Sequence, residues 1–595
     1  MNSSVIRDEF TTNNKKVQFF RLIGYFKPHI PMLVLCTFLA FLINATILIK
    51  PYIIKYVIDE YLVAGRYDIS GIRLMGLLFF IIVVLGAVFT YIQAYVLTYI
   101  GQKIMYKIRH QLFKHIQEMS MRFFDKNSSG RILTRITNDV ESLNELFSGI
   151  IINIFRDSIM ITGIVVMMLV MDVKLALVCI SSIPLIALVA IFYRKAARKN
   201  FIQMKGMLAK INAFLAENIS GMKLVQIFHR EKEKFEELLH LDKQYFASSL
   251  REVILNSLCR PVVDIINNLT IALLIWFCTG RFLDNTLEIG VMYAFITYIK
   301  QIFDPISAIS EQYTTIQSAV ISSERIFEIL DNSEAVEDLN SGISVNELKG
   351  EIEFRNVWFA YDDKNWVLKD VCFIINSGEV TAFVGSTGCG KSTIIGLMAR
   401  FYEVQKGEIL LDGININEYR LKDLRKQIAV VLQDVFLFSG DVKSNIRLRN
   451  MHITDEDIRD AAHFVSADKF IESLPGKYDE EVKERGCTLS AGQKQLISFT
   501  RAVAFRPSIL VLDEATANID TETEAVIQKA MVEITRGKTS IIIAHRLSTI
   551  RNADKIIVVH KGSIKETGNH SELISRNGIY SHLYKMQFYK DKIPS

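Results

Sequence analysis

Six stretches of about twenty mostly apolar residues, all in the first half of the chain, constrain this 595-residue sequence more than any other feature. They fall near 30–56, 74–100, 149–171, 174–194, 258–280 and 289–310. A helix of roughly 20 such residues crosses a hydrocarbon core of about 30 Å. In lipid every backbone N–H and C=O must find a partner within the protein, so runs of this kind specify a bundle of spanning helices. The second half has no such runs. A chain of this length also exceeds what one core supports, so it divides into at least two domains.

The gaps between spans set the orientation. Spans two and three are separated by a polar segment carrying Lys103, Lys107, Arg109, Lys114, Arg122, Lys126, Arg131 and Arg135. Spans four and five are separated by another, with Arg194, Lys195, Arg198, Lys199, Lys205 and Lys210. Excess Lys and Arg marks the cytoplasmic side. The short connections around 57–73, 172–173 and 281–288 then face outward, and both termini are expected in the cytoplasm. Residues 1–29 form a cytoplasmic N-terminal segment whose first part, Met1–Phe20, is polar and charged and lacks the charged, apolar, small-residue order of a cleaved signal, so no cleavage is expected. Localisation in a plasma or inner membrane as a multi-pass protein follows.

The net charge of +5 comes from bases interleaved with acids, which argues against a nucleic-acid partner. Seven cysteines without C-x-x-C spacing read as reduced thiols.

The basic gaps keep helical periodicity: Ile104, Ile108, Leu112 and Ile116 recur at four, and Leu208, Ile211, Leu215 and Ile219 at three or four. They read as membrane helices continuing into the cytoplasm, with polar tips at about 123–130 and 212–221 available to dock a soluble domain. The first tip carries Phe123, Phe124 and Asp125, followed by Gly130 and the run Arg135 to Val140. An ordinary helix-turn-helix without a docking role fits the pattern equally. Ionisable residues within spans are default functional candidates: Arg156 and Asp157, Arg260 and Asp264, Lys300 and Asp304. The last two pairs are four apart and can neutralise each other on one helix face. Alternatively, Arg260 and Asp264 line a substrate cavity.

After the last span, a helix over 318–330 leads to an acidic linker at 331–349, and a second domain occupies 350–590. There Val380–Val384 reads as a buried strand that runs into Gly385-Ser386-Thr387-Gly388-Cys389-Gly390-Lys391-Ser392-Thr393, followed by an apolar helix. This is the G-x-x-x-x-G-K-[ST] phosphate loop in the strand-loop-helix setting it requires. Its N–H groups close around phosphate, Lys391 reaches the β and γ oxygens, and Ser392 offers a hydroxyl to Mg²⁺. The apolar strand Ile509–Leu512 ends in Asp513 and Glu514. One acid there can hold Mg²⁺ through water, and the second can orient or deprotonate an attacking water. A further strand at 540–544 ends at His545, a residue type suited to a γ-phosphate contact. The fold expected is a six-helix all-α transmembrane domain over 30–330, with long cytoplasmic extensions, followed by an α/β P-loop nucleotide-binding domain.

With Leu489-Ser490-Ala491-Gly492-Gln493 downstream, the chain resembles an ATP-binding cassette exporter half-transporter over nearly its whole length. The resemblance implies the type IV exporter fold for the membrane domain, with ATP and Mg²⁺ as ligands. It implies that Tyr361 stacks on adenine, Gln433 links Mg²⁺ to the membrane domain, and Glu484-Arg485-Gly486 precede the signature. It also implies that Asp520 ends the D-loop and His545 is the switch histidine. Catalysis falls to Glu514 with His545, Lys391 and Gln433, and metal binding to Ser392, Gln433 and Asp513. The tips become coupling helices. Two cassettes would face head to tail, with Ser490, Gly492 and Gln493 contacting ATP on the opposite cassette. Alternating access would export hydrophobic or amphipathic compounds, drugs or lipids.

Two departures lie on surfaces offered to the second cassette: Ala491 stands where the family has glycine, and Ala517-Asn518-Ile519-Asp520 replaces Ser-Ala-Leu-Asp. A positive φ at 491, or a close backbone approach to phosphate there, would make the added methyl cost about 1 kcal/mol or more. The pattern resembles heterodimeric exporters, with a homodimer as the alternative. Membrane lipids and a hydrophobic small molecule are the other partners expected. A regulatory or channel-like cassette protein, or an exporter of a dedicated peptide or lipid, remains a rival. A soluble cassette ATPase is opposed by the six spans, and an importer subunit by the fusion of both domains.

Overall fold

The computed structural model describes residues 21–63, 68–283, 288–334, 336, 341–362, 365–513, 521–543 and 550–590. Two compact units divide the chain: residues 1–117 with 129–332, and 118–128 with 333–595.

In the first unit each expected span lies on a helix: Ile30–Val57, Ile69–Gln117, Ile151–Met171, Val173–Ile180 running on as Ser182–Ser220, Glu231–Leu283 and Ile289–Leu330. The 49 residues of Ile69–Gln117 make a rod of roughly 74 Å at about 1.5 Å per residue. That is more than twice a bilayer core, so the apolar first part and the basic second part are one continuous helix. Its burial changes along its length. Leu74, Leu77 and Phe80 are exposed, whereas Ile104, Ile108, Leu112 and Ile116 are buried. This is the change expected when a helix leaves lipid and packs as an amphipathic rod. The described cysteine side chains are all free thiols.

Polar side chains inside this unit bind backbone carbonyls of other helices. Gln93 Nε2 donates to Cys36 O at 2.9 Å, Asn44 Nδ2 to Arg156 O at 2.8 Å, and Tyr298 Oη to Leu48 O at 2.7 Å. Such bonds join helices that lipid gives no hydrophobic reason to associate. Arg156 and Asp157 pair with each other at 3.3 Å. Asp264 and Lys300 are exposed; the side chains of Arg260 and Asp304 lie outside the described residues.

Within the second expected tip, 212–221, the chain stays helical almost to the end. Asn212–Ser220 sits inside the helix Ser182–Ser220, the turn comes at Gly221, and a short helix Met222–Ile227 follows. The reason is local: Ala213, Leu215, Ala216 and Glu217 are good helix formers. Gly221 donates its N–H to Glu217 O at 2.9 Å and closes the helix. His229, at φ 50°, completes the reversal.

Twelve strands build the second unit among the described residues: β1 (Ile352–Phe359), β2 (Leu368–Ile375), β3 (Val380–Val384), β4 (Lys406–Leu411), β5 (Ile414–Asn415), β6 (Ile428–Val431), β7 (Gly440–Asp441), β8 (Glu481–Val482), β9 (Ile509–Asp513), β10 (Thr539–Ile543), β11 (Lys555–His560) and β12 (Ser563–Gly568). An antiparallel sheet runs β2-β1-β4-β5. The central sheet runs β12-β11-β3-β10-β9-β6, parallel throughout except at β12. Alternate residues of its strands feed two cores, as the two-residue period of a strand requires. Phe383, Ile509, Val511, Ile541 and Ile543 join the core that contains the antiparallel sheet and Ile394, Ile395, Leu397 and Met398 of the helix Lys391–Met398. Ala382, Leu510, Leu512 and Ile542 join the opposite core, which contains Leu496, Ile497 and Phe499 of the helix Ala491–Ala504.

Candidate nucleotide site

The sheet places the chemistry at the carboxyl ends of its parallel strands, where ligands of open α/β sheets bind. β3 delivers the phosphate loop, Asp513 is the last residue of β9, and Gln433 lies two residues beyond β6. Register fixes their order: β10 lies between β3 and β9, with Ile543 opposite both Phe383 and Asp513.

Steric fit makes the loop glycine-rich. A Cβ at Gly385 would stand 2.2 Å from Val559 O. Gly390 has φ +107°, a left-handed conformation, and caps the helix that begins at Lys391. Lys391 is buried, and its ammonium donates to Gly385 O at 2.7 Å and Ser386 O at 3.2 Å, so the loop's own carbonyls hold the cation inside it. Ser386, Thr387, Gly388 and Ser392 are exposed, whereas Cys389 and Thr393 are buried. The Tyr361 hydroxyl shares a 3.0 Å hydrogen bond with Thr393 Oγ1. Its ring meets Phe359 and Tyr402 edge-on, with centroids 5.0 and 5.2 Å away.

Ser392, Asp513 and Gln433 are all hard oxygen donors of the kind Mg²⁺ prefers. Among the described residues no cluster of three or more His, Cys, Asp or Glu forms a metal cage. That set fits a cation that keeps its waters and leans on phosphate, as Mg²⁺ does. Glu514, Asp520 and His545, with Ala517 to Ile519, lie outside the described residues.

Ser490 caps the helix Ala491–Ala504 with a reciprocal box: its Oγ accepts from Gln493 N–H at 3.2 Å, and Gln493 Oε1 accepts from Ser490 N–H at 2.9 Å. Ser490 is exposed, and the free N–H groups and dipole of this 14-residue helix suit an anion. Ala491 is the first helical residue and has no positive φ. The backbone-strain cost conditional on a left-handed conformation there does not arise. Upstream, Gly486 has φ +62° and Lys494 Nζ donates to Arg485 O at 2.9 Å, which braces the approach to the helix.

The structure adds two residues to this site that the motifs do not supply. Tyr402 follows the loop helix and packs on Tyr361, and its hydroxyl donates to Asp125 Oδ2 at 2.8 Å. Asp125 stands on the short helix Met121–Lys126, which belongs to the same compact unit as the cassette. An aromatic pair, Phe401-Tyr402, directly after a loop helix was the only sequence signal, and core packing explains such a pair equally well.

These features define a cassette ATPase joined to a lipid-facing helical bundle, and comparison with known proteins agrees. The family model for the ABC transporter transmembrane region matches residues 33–306, and that for the ABC transporter matches residues 368–517. A probable multidrug resistance ABC transporter ATP-binding/permease protein of Bacillus subtilis, YheH, is 41% identical over 524 residues, covering 87% of this chain and 77% of that protein. An ATP-dependent lipid A-core flippase of Syntrophus aciditrophicus is 32% identical over 584 residues, covering 98% and 97%. A solved structure of a bacterial Atm1-family ABC exporter with ATP bound has a TM-score of 0.77 at 26% identity, covering 94% of this chain and 98% of that one. The chain belongs to the ABC transporter family. It is a membrane transporter that binds and hydrolyses ATP.

Proposed function

We propose that this chain is one subunit of an exporter that uses ATP hydrolysis to move hydrophobic or amphipathic compounds, drugs or lipids, out of the cell by alternating access. The observation that carries this reading is a complete phosphate loop and a capped signature helix on a chain whose first half turns large apolar side chains outward. The relatives' names, a multidrug resistance transporter and a lipid A-core flippase, favour cargo that enters from lipid. Both termini and both helical extensions are assigned to the cytoplasm of a plasma or inner membrane.

At the site, the loop N–H groups and Lys391 bind the phosphates and Tyr361 orients the adenine. Ser392, Asp513 and Gln433 would hold Mg²⁺, which would supply neutralisation of phosphate charge when bound. Glu514 takes the proton of the attacking water, with His545 near the γ-phosphate and Asp520 at the subunit boundary. The signature helix packs on the face of the central sheet opposite the loop helix. That arrangement supports a site completed by the Ser490–Gln493 segment of a second subunit. The altered Ala491 and Ala517-Asn518-Ile519 favour a heterodimer in which this chain's loop is the hydrolysing one. Purifying the chain without other subunits tests this: negligible substrate-stimulated ATPase is expected, and robust stimulation would establish a homodimer.

A further inference from the structure

The short helix Met121–Lys126 is fixed to the cassette by more than apolar packing. Ser120 donates its N–H to Glu334 O at 2.9 Å, and Val336 donates to Glu118 O at 2.8 Å, so the stem before the helix pairs with the segment after the last long helix. Lys126 closes the pairing with a 2.6 Å ion pair to Glu334, and Phe123 is buried. From this stem, Asp125 accepts the Tyr402 hydroxyl. The Tyr402 ring packs on Tyr361 at 89°, and Tyr361 bonds Thr393 in the loop helix. Phe359 packs against both rings, with centroids 5.0 and 5.6 Å away. Burial, reinforced by the Asp125 carboxylate, pushes the Tyr402 hydroxyl up from its ordinary value, so it remains a protonated donor.

We propose that the Tyr402–Asp125 hydrogen bond is the positioning contact that passes occupancy of the nucleotide site to the helix Met121–Lys126 of the same chain. The inference rests on the reading that Tyr361 carries the adenine. A base stacked on Tyr361 fixes the ring against which Tyr402 packs, and a fixed Tyr402 ring holds its hydroxyl on Asp125. Removing the hydroxyl cuts the link while leaving the aromatic packing intact. The route acts from the adenine end of the site and needs neither Gln433 nor the γ-phosphate.

The test is amide hydrogen exchange over residues 119–127 of the full chain in nanodiscs, with and without ATP, alongside direct ATP-binding measurements. Wild type is expected to show about tenfold slower exchange there when ATP is bound. Tyr402→Phe and Asp125→Leu should each lose that ATP-dependent change, and the double variant should lose no more than either single one, as residues of one contact do. ATP-dependent protection that persists in Tyr402→Phe, with ATP bound, overturns the proposal. Tyr361→Ala separates the premise: weakened ATP binding upholds it, whereas unchanged ATP affinity overturns the adenine reading and the link together.

Discussion

The two halves of this chain use the same apolar residue types in opposite ways. In the membrane half Val34, Phe38, Leu74, Phe80 and Trp276 are each more than half exposed, while Asn44, Gln93 and Asp139 are buried. In the cassette Ile509, Val511, Ile541 and Ile557 are buried to within about one percent, and charged side chains such as Glu353, Arg355 and Glu408 pair at the surface. Lipid solvates apolar surface as readily as a protein interior does, so the membrane bundle is held by close approach and hydrogen bonds. The cassette, in water, is held by burial. Precision follows from the second arrangement: two cores clamp the central sheet from both sides and aim its strand ends at one site.

The largest test of that contrast removes chemistry from the cassette and leaves the bundle alone. Lys391→Ala should lower ATPase activity by on the order of 10²-fold or more, with membrane insertion unchanged in a fractionation assay. Second in size is a matched pair of charge insertions at equally exposed positions, Leu77 at 58% and Val532 at 57%. Leu77→Arg should cost up to about 3 kcal/mol in an insertion assay, whereas Val532→Arg should shift cassette melting by no more than about 0.5 kcal/mol. Equal costs at both positions would erase the distinction drawn here. Third, Ser490→Ala breaks the capping box and should cost about 1 kcal/mol of cassette stability, read by thermal melting. A smaller effect than the lost cap belongs to the bundle's own polar glue: Gln93→Leu, which loses its bond to Cys36, should cost only about 0.6 kcal/mol in detergent unfolding.

Much of this was legible in the sequence because its signals are local. Each of the six apolar runs lies on a helix, and the phosphate loop follows a strand. What the sequence hid was set by termination and by distance. The second reversal occurs beyond Ser220 because nothing in Asn212–Ile219 stops a helix, and Gly221 does. Tyr402 and Asp125 are 277 residues apart, so no local pattern joins them. The possible strain at Ala491 was a question about φ, and only a structure answers it.

The central claim is that hydrolysis at this chain's phosphate loop drives compounds across the membrane. Its most direct test is ATP-dependent accumulation of a hydrophobic fluorescent dye in inside-out vesicles carrying the chain with its native subunit partner, compared with the same vesicles bearing Glu514→Gln. Accumulation that requires ATP and is abolished by Glu514→Gln, while ATP still binds, is the predicted result. Undiminished accumulation in the variant would contradict the account.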